Sequence, residues 1–414
     1  MLATVALVLS LQAAAPPSEV LREIRIQGNV LTPDEEIVRL AGVAIGSPVT
    51  PDTPQEVAAR LRLTKRFEQV DVLKRFASIA DPSQIALVII LDEGPVSIET
   101  QRDGPPRVVR KRGLPLQFLP MLDFEDGYGF SYGVRTAWPT PVGADSRLSF
   151  PVTWGGTKQV GAELDLDRPT GPLGALSRFQ VGGSLSRREN PFYEEEDDRA
   201  RAWVRAERAL VSGLRVGALA GLQHASFSER RDRFTEVGAD LVFDTRVDPA
   251  LPRNAVYGRA AWSRLDFARA DAAHRTELEA RGYVGLLGQT VLAVGVQRKD
   301  SSQSLPPYLQ PILGGMSSLR GFAAGSAVGD TLAAGSLELL VPLTSPLSFG
   351  KLGVSAFVDA GAVYDKGQRL ADQRFRRGAG GAVWFSAAFV RAYLAVAHGI
   401  GASTRTHFGA TLAF

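Results

Sequence analysis

The stretch "GFSYGVRTAW", residues 129–138, decides the fold. Phe130, Tyr132, Val134 and Trp138 share one face of an extended chain, and Ser131, Gly133 and Arg135 share the other. That period of two belongs to a strand with one apolar side. The next segments repeat it. In "RLSFPVTW" (147–154), Leu148, Phe150, Val152 and Trp154 oppose Arg147, Ser149 and Thr153. In "VGAELDLD" (160–167), Val160, Ala162, Leu164 and Leu166 oppose Glu163, Asp165 and Asp167. A soluble sandwich would also alternate. Two features favour a membrane barrel. Aromatic residues sit near strand ends, where interfacial girdles lie. The polar faces carry charge strand after strand, which a water-filled lumen tolerates and a dry core does not.

Working outward, the same grammar holds over residues 105–414, with strands starting near 115, 128, 146, 158, 176, 199, 214, 234, 255, 275, 290, 331, 352, 376, 388 and 407. The expected fold is therefore mainly β: a sixteen-stranded antiparallel transmembrane β-barrel, the even count of a bacterial single-chain barrel. Connections after odd strands read as long polar loops, such as "RRENPFYEEEDDRA" (187–200) and 301–330. Those after even strands, such as "LVSG" and "LGQ", read as shorter. This asymmetry predicts long loops outside the cell, with short turns and the N-terminal region in the periplasm. The segment at 114–122 contains Pro115 and Pro120, which lack a donor, so weak pairing is expected there.

Before the barrel the pattern differs. "MLATVALVLSLQAAA" (1–15) reads as a signal peptide without a basic start. Residues 20–98 then read β-α-α-β-β. "VLREIRIQGN" alternates. "TPDEEIVRLAG" offers a capping threonine and early acids, and ends at Gly42. "TPQEVAARLRLTKRF" puts Val57, Leu61 and Leu63 toward the buried side, and "SQIALVIILDEGP" closes the unit.

The balance of 47 basic and 44 acidic residues gives a net charge of +3 with no basic run, which argues against a nucleic-acid partner. With no cysteine there is no disulfide, thiolate nucleophile or sulfur metal site. The four histidines, His224, His274, His398 and His407, fall on separate segments without ligand spacing. The run Glu194 to Asp198 reads as a solvated loop. No G-x-S-x-G, H-E-x-x-H or phosphate-loop motif occurs, so neither an enzyme nor a metal or other cofactor is expected.

The order "IRIQGN", "LTKRFEQVDV" and "DEGP" resembles a POTRA domain over residues 20–98. A POTRA-like domain followed by a sixteen-stranded barrel resembles the BamA/TamA family of outer-membrane assembly proteins, of surface-antigen type, whose relatives include two-partner secretion transporters. Three stretches carry the likeness. "FDTRVDPALPRNAVYG" (243–258) resembles the family's turn motif at Asp244, Thr245 and Arg246, with Asn254-Ala255 where a glycine is usual. "LRGF" (319–322) resembles the signature of its sixth loop. "FVDAGAVYD" (357–365) resembles the aspartate-bearing strand that follows, with "GSLELLVPL" (335–343) between them. The resemblance implies that this loop folds into the barrel and that Arg320 meets acids on its wall. Strand parity points Asp359 and Glu338 inward. Gly321 would let the backbone approach closely, and Phe322 would anchor it. "HFGATLAF" places Phe408, Leu412 and Phe414 on one face, which resembles a barrel-targeting signal.

The implied function is insertion or translocation of other polypeptides at the bacterial outer membrane, through a weak seam between first and last strands. The partners implied are client outer-membrane or secreted polypeptides and the lipid bilayer. The alternatives are a two-partner-type transporter and a passive porin. Two-partner transporters usually carry a plug helix, and the few residues between the expected cleavage site and "LREIRI" leave no room for one.

Overall fold

The computed structural model describes residues 19–414 apart from 65, 68, 79–80, 82, 94–95, 100–106, 111–115, 144, 170, 247, 249–250, 345–349, 388–389 and 413–414. The expected signal peptide, Pro115 and Phe414 lie outside the described residues. The chain divides into two units between residues 112 and 113.

The first unit runs β1 (Val20–Gln27), α1 (Asp34–Ala41), α2 (Thr53–Leu63), β2 (Gln69–Phe76) and β3 (Gln84–Asp92). The apolar run of β3 puts it in the middle of a sheet ordered β1-β3-β2. It lies parallel to β1 and antiparallel to β2. Ile85, Leu87 and Ile89 pack with Leu21, Ile37, Val57 and Leu61 as the core. Two sequence expectations fail here. Leu63 is 80% exposed: it is two residues past Leu61, about 200° round the helix, so both cannot face the sheet. Thr32 does not cap α1, whose N-cap is Pro33.

The turn before α1 is held instead by Glu93, which is 4% exposed. Its carboxylate accepts the backbone N–H groups of Val30 (2.6 Å), Leu31 (2.5 Å) and Thr32 (2.9 Å). Burial alone would raise this carboxyl's pKa, but the donors of Leu31, Thr32 and Val30 outweigh burial and hold it below the ordinary carboxylate range. The folded value is thus the lower one. Its stabilisation is complete above the ordinary range and is lost as pH falls through the folded value. Glu93→Ala should cost about 1.5–3 kcal/mol, the range for hydrogen bonds to a charged group. Protection factors of the Val30–Thr32 amides in the full chain, each referred to the intrinsic rate at the same pH, should fall accordingly in the variant, and in the native protein as pH falls through the folded value. Unchanged protection in Glu93→Ala would refute the assignment.

A short antiparallel hairpin follows, β4 (Val96–Glu99) with β5 (Arg107–Arg110). The barrel then comprises β6 (Gln117–Glu125), β7 (Gly129–Pro139), β8 (Ser146–Gly155), β9 (Thr157–Asp167), β10 (Arg178–Glu189), β11 (Glu196–Val211), β12 (Leu214–Phe227), β13 (Arg230–Asp244), β14 (Ala255–Phe267), β15 (Ala273–Gly285) and β16 (Val291–Ser301). After a minor hairpin, β17 (Ile312–Leu313) with β18 (Ala327–Val328), it resumes with β19 (Thr331–Thr344), β20 (Lys351–Tyr364), β21 (Arg376–Ser386), β22 (Val390–Gly399) and β23 (Thr404–Leu412). These sixteen strands close into one antiparallel barrel in chain order, β23 meeting β6. The chain is mainly β, as the alternation predicts.

Exposure follows parity. Tyr132, Trp154, Leu185, Leu222, Trp262, Val296 and Val358 are exposed on the outer face, where lipid replaces water. Charges on the opposite face pair across the lumen wall: Arg205 with Asp240, Arg275 with Glu236, and Arg259 with Glu277.

The loop-length asymmetry is not present. At one end the connections shrink to 126–128, 156, 190–195 and 228–229, while 168–177 and 245–254 at the other are longer. Much of "RRENPFYEEEDDRA" is strand. Arg187 faces Asp198 and Arg188 faces Asp197 in register, and Arg187 bonds Asp198 at 2.5 Å. Cross-strand ion pairs extend a ladder that composition alone reads as loop. The run Glu194 to Asp198 therefore belongs partly to a strand, and Asp197 is buried against Arg199. Only 302–330, and to a lesser degree 365–375, make long excursions at that end.

Candidate functional site in the lumen and at the seam

The residues 302–330 join β16 to β19 and fold back between strand faces. Their hairpin, β17 with β18, presents "SSLRGF" inward, and Leu313, Leu319 and Leu332 bury together with Phe322 against them. Arg320 is 6% exposed and Asp359 5%. The guanidinium meets Asp359 through two parallel bonds, Nε to Oδ2 and Nη2 to Oδ1, both 2.7 Å. The Arg320 backbone N–H also donates to Oδ2 at 3.0 Å. Nη1 donates to Glu338 at 2.8 Å and to the Tyr393 hydroxyl at 2.6 Å, and Nη2 donates to Ser336 at 2.9 Å. All five guanidinium donors are engaged, a fit a lysine cannot reproduce.

Each acid is held in turn. Ser336 donates to Asp359 at 2.7 Å; Ser355 and Tyr393 donate to Glu338, each at 2.6 Å. The Phe357 ring lies under the guanidinium, 3.4 Å from Cζ to the centroid, a cation–π contact. Parity explains the convergence. Ser355, Phe357 and Asp359 alternate on β20, Ser336 and Glu338 on β19, and Ser336 faces Asp359 in register.

Close backbone approach completes the seat. Gly321 has φ +92°, a left-handed conformation that favours glycine. A β-carbon on Gly378 would lie 2.0 Å from the Arg320 carbonyl oxygen.

Sequence reasoning did not single out Phe357, Tyr393, His407 or Asp126. Inward parity on β20, β22 and β23 was the available signal for the first three. His407, 2% exposed, accepts the Gly321 N–H at Nε2 (2.9 Å) and meets Asp126 at Nδ1 (2.6 Å).

Asp244 ends β13, and Thr245 and Arg246 open the β13–β14 turn; Arg246 lines the same cavity as Arg320, Glu338 and Asp359. Asp244 accepts from Arg246 at Nε and Nη2, both 2.8 Å, and Arg246 lies over Tyr257. The Thr245 hydroxyl accepts the Val256 N–H at 2.8 Å. Asn254, standing where a glycine is usual, has φ +47°, which asparagine tolerates best after glycine. Phe408 faces outward and its ring lies 5.0 Å from that of Phe124, across the seam.

Among the described residues the seam is the least paired joint of the barrel wall. β6 pairs with β7 from Gln117 to Glu125. On its other side, among the described residues, it meets β23 only at Phe124–Ala410, Asp123–Thr411 and Leu122–Leu412. Pro120 lies in the part of β6 beyond those pairs.

Residues 156–406 match the family model described as the Omp85 superfamily domain. The chain belongs to the Omp85 superfamily. Among solved structures the Omp85 fold recurs in BamA from Haemophilus ducreyi lacking POTRA domains 1–3, at 16% identity and a TM-score of 0.63, covering 96% of this chain and 85% of that one. CdiB from Escherichia coli is similar at 13% identity and a TM-score of 0.54, covering 97% and 92%. CdiB from Acinetobacter baumannii follows at 14% and 0.52, covering 95% and 74%. A search of curated proteins gave no match to this Omp85 chain.

Proposed function

We propose that this Omp85 barrel inserts or translocates other polypeptides at the outer membrane, receiving them at the seam between β23 and β6. The observation that carries the reading is the seam, with three pairs among the described residues, beside a fully paired β6–β7 ladder. Unpaired N–H and C=O groups at a strand edge template an incoming strand. The work is hydrogen-bond templating, with no bond chemistry and no cofactor. Residues 20–98 act as a POTRA-like domain in the periplasm that meets client chains. The excursion at 302–330 then sits at the outer end, since β6 begins and β23 finishes at the opposite one. The Arg320 clamp holds that loop inside the lumen, which speaks against an open porin.

A disulfide across the seam tests this. Leu122 and Leu412 are register partners, and directly paired Cα atoms at about 4.5–5.5 Å suit a disulfide. The chain has no native cysteine to interfere. In cells relying on Leu122→Cys/Leu412→Cys, client outer-membrane or secreted proteins should fall to depletion levels and recover on reduction. Each single variant should behave as wild type. Normal client levels with the seam locked would overturn the reading, and normal solute flux alongside them would favour the passive channel.

A further inference from the structure

We propose that His407 is a positioning residue that couples the lumen loop to the seam, so that withdrawal of the loop loosens the joint between first and last strands. This rests on the seam being the working edge.

The geometry defines the imidazole's state. The Gly321 backbone N–H can only donate, so Nε2, 2.9 Å away, must accept. Nδ1 then carries the proton and donates it to the Asp126 carboxylate at 2.6 Å. The ring is a neutral two-ended connector. One end holds the residue next to Arg320. The other crosses the seam, because His407 lies on β23 while Asp126 follows β6 directly. The three backbone pairs end at Ala410–Phe124. The imidazole therefore bridges the seam beyond the last backbone pair, on the loop side of it. At 2% exposure it has little water to replace a lost partner. If the loop leaves, Nε2 loses its donor, the ring is no longer oriented, and the bond to Asp126 loses its alignment. The ion pair between Arg320 and Asp359 thus acts on the seam through one side chain that touches neither acid of the clamp.

The test is hydrogen exchange of the full chain in lipid bilayers, read in 117–125 and 404–412, for Arg320→Ala, His407→Phe and the double variant. Each single change should speed seam exchange about tenfold, the scale of one lost charge-assisted hydrogen bond. The double variant should exchange no faster than His407→Phe, because the connector is already cut. Multiplicative effects, or no effect of His407→Phe, would overturn the coupling. His407→Asn separates connection from space-filling. Its Nδ2 stands where Nδ1 stood and can still donate to Asp126, but the side chain falls short of Gly321. It should keep seam protection near wild type and abolish the response to Arg320→Ala. If instead His407→Asn loosens the seam while His407→Phe leaves it protected, the histidine only fills space and the proposal fails. These readouts are structural, so they stand whether or not the seam lock stops client delivery.

Discussion

Arg320→Ala should free residues 302–330 from the lumen while the sixteen strands stay closed. The substitution removes five side-chain donors at once and leaves Asp359 and Glu338 facing a vacated site. Breaking a buried ion pair by deleting one partner costs about 3–5 kcal/mol. Asp359 keeps the Ser336 hydroxyl, and Glu338 keeps those of Ser355 and Tyr393. Water also reaches the lumen, so the lower end of that range is expected. Limited proteolysis should cut within 302–330 in the variant and not in wild type. Arg320→Lys should recover part of the protection, because an ammonium replaces the charge but not the paired bonds to Asp359. A double-mutant cycle of Arg320 with Asp359 should show a coupling of about 1–3 kcal/mol. Additive effects, with the loop equally protected in Arg320→Ala and wild type, would remove the clamp.

The second large effect should come from a residue without charge. In Gly378→Ala the new β-carbon would meet the Arg320 carbonyl oxygen at 2.0 Å. That oxygen belongs to the backbone of the clamped residue and cannot turn aside as a side chain would. Overpacking costs about 1–3 kcal/mol where neighbours can shift, and more where they cannot. The loop should therefore be displaced with every ion-pair partner intact. Gly295→Ala, on the wall of the same barrel, is the control: its nearest heavy atom would lie at 3.8 Å, an ordinary contact. Protease sensitivity of 302–330 in Gly378→Ala but not in Gly295→Ala is the expected result. Resistance in both would mean that the loop backbone is not seated against β21.

Much of this arrangement is legible in the sequence because strand parity is rigid. The period of two placed Asp359 and Glu338 on inward faces before any pairing was known. The predicted strand starts fall close to the observed ones for the same reason. Strand ends were less legible. Arg187 and Asp198 read as loop because charge suggests solvent, and their cross-strand pairing depends on a register the sequence does not print. Leu63 was misplaced because a helix turns about 100° per residue, so a neighbour two positions from a core leucine points away. The capping role given to Thr32 failed because Glu93, some sixty residues later, takes the N–H groups of the turn before α1. Tyr393, His407 and Asp126 were not singled out because they reach the loop from distant strands. Parity says that a side chain enters the lumen, not which partner it finds there.

The closed ladder also sets an order of assembly. Every other neighbouring pair of barrel strands is consecutive along the wall, and most are joined by a few residues. The clamp draws only on 320–393, so it can form within the C-terminal third of the chain. The seam joins Phe124 to Ala410, and loop-closure entropy must be met across nearly the whole barrel before its pairs reward it. The seam is therefore the last joint to form as the protein itself folds, and among the described residues it has the fewest backbone pairs to offset that entropy. A nascent barrel with its loop already seated and its two edges still apart is the natural late intermediate of this topology. The edge proposed to receive another polypeptide is thus the same edge this chain closes last on itself.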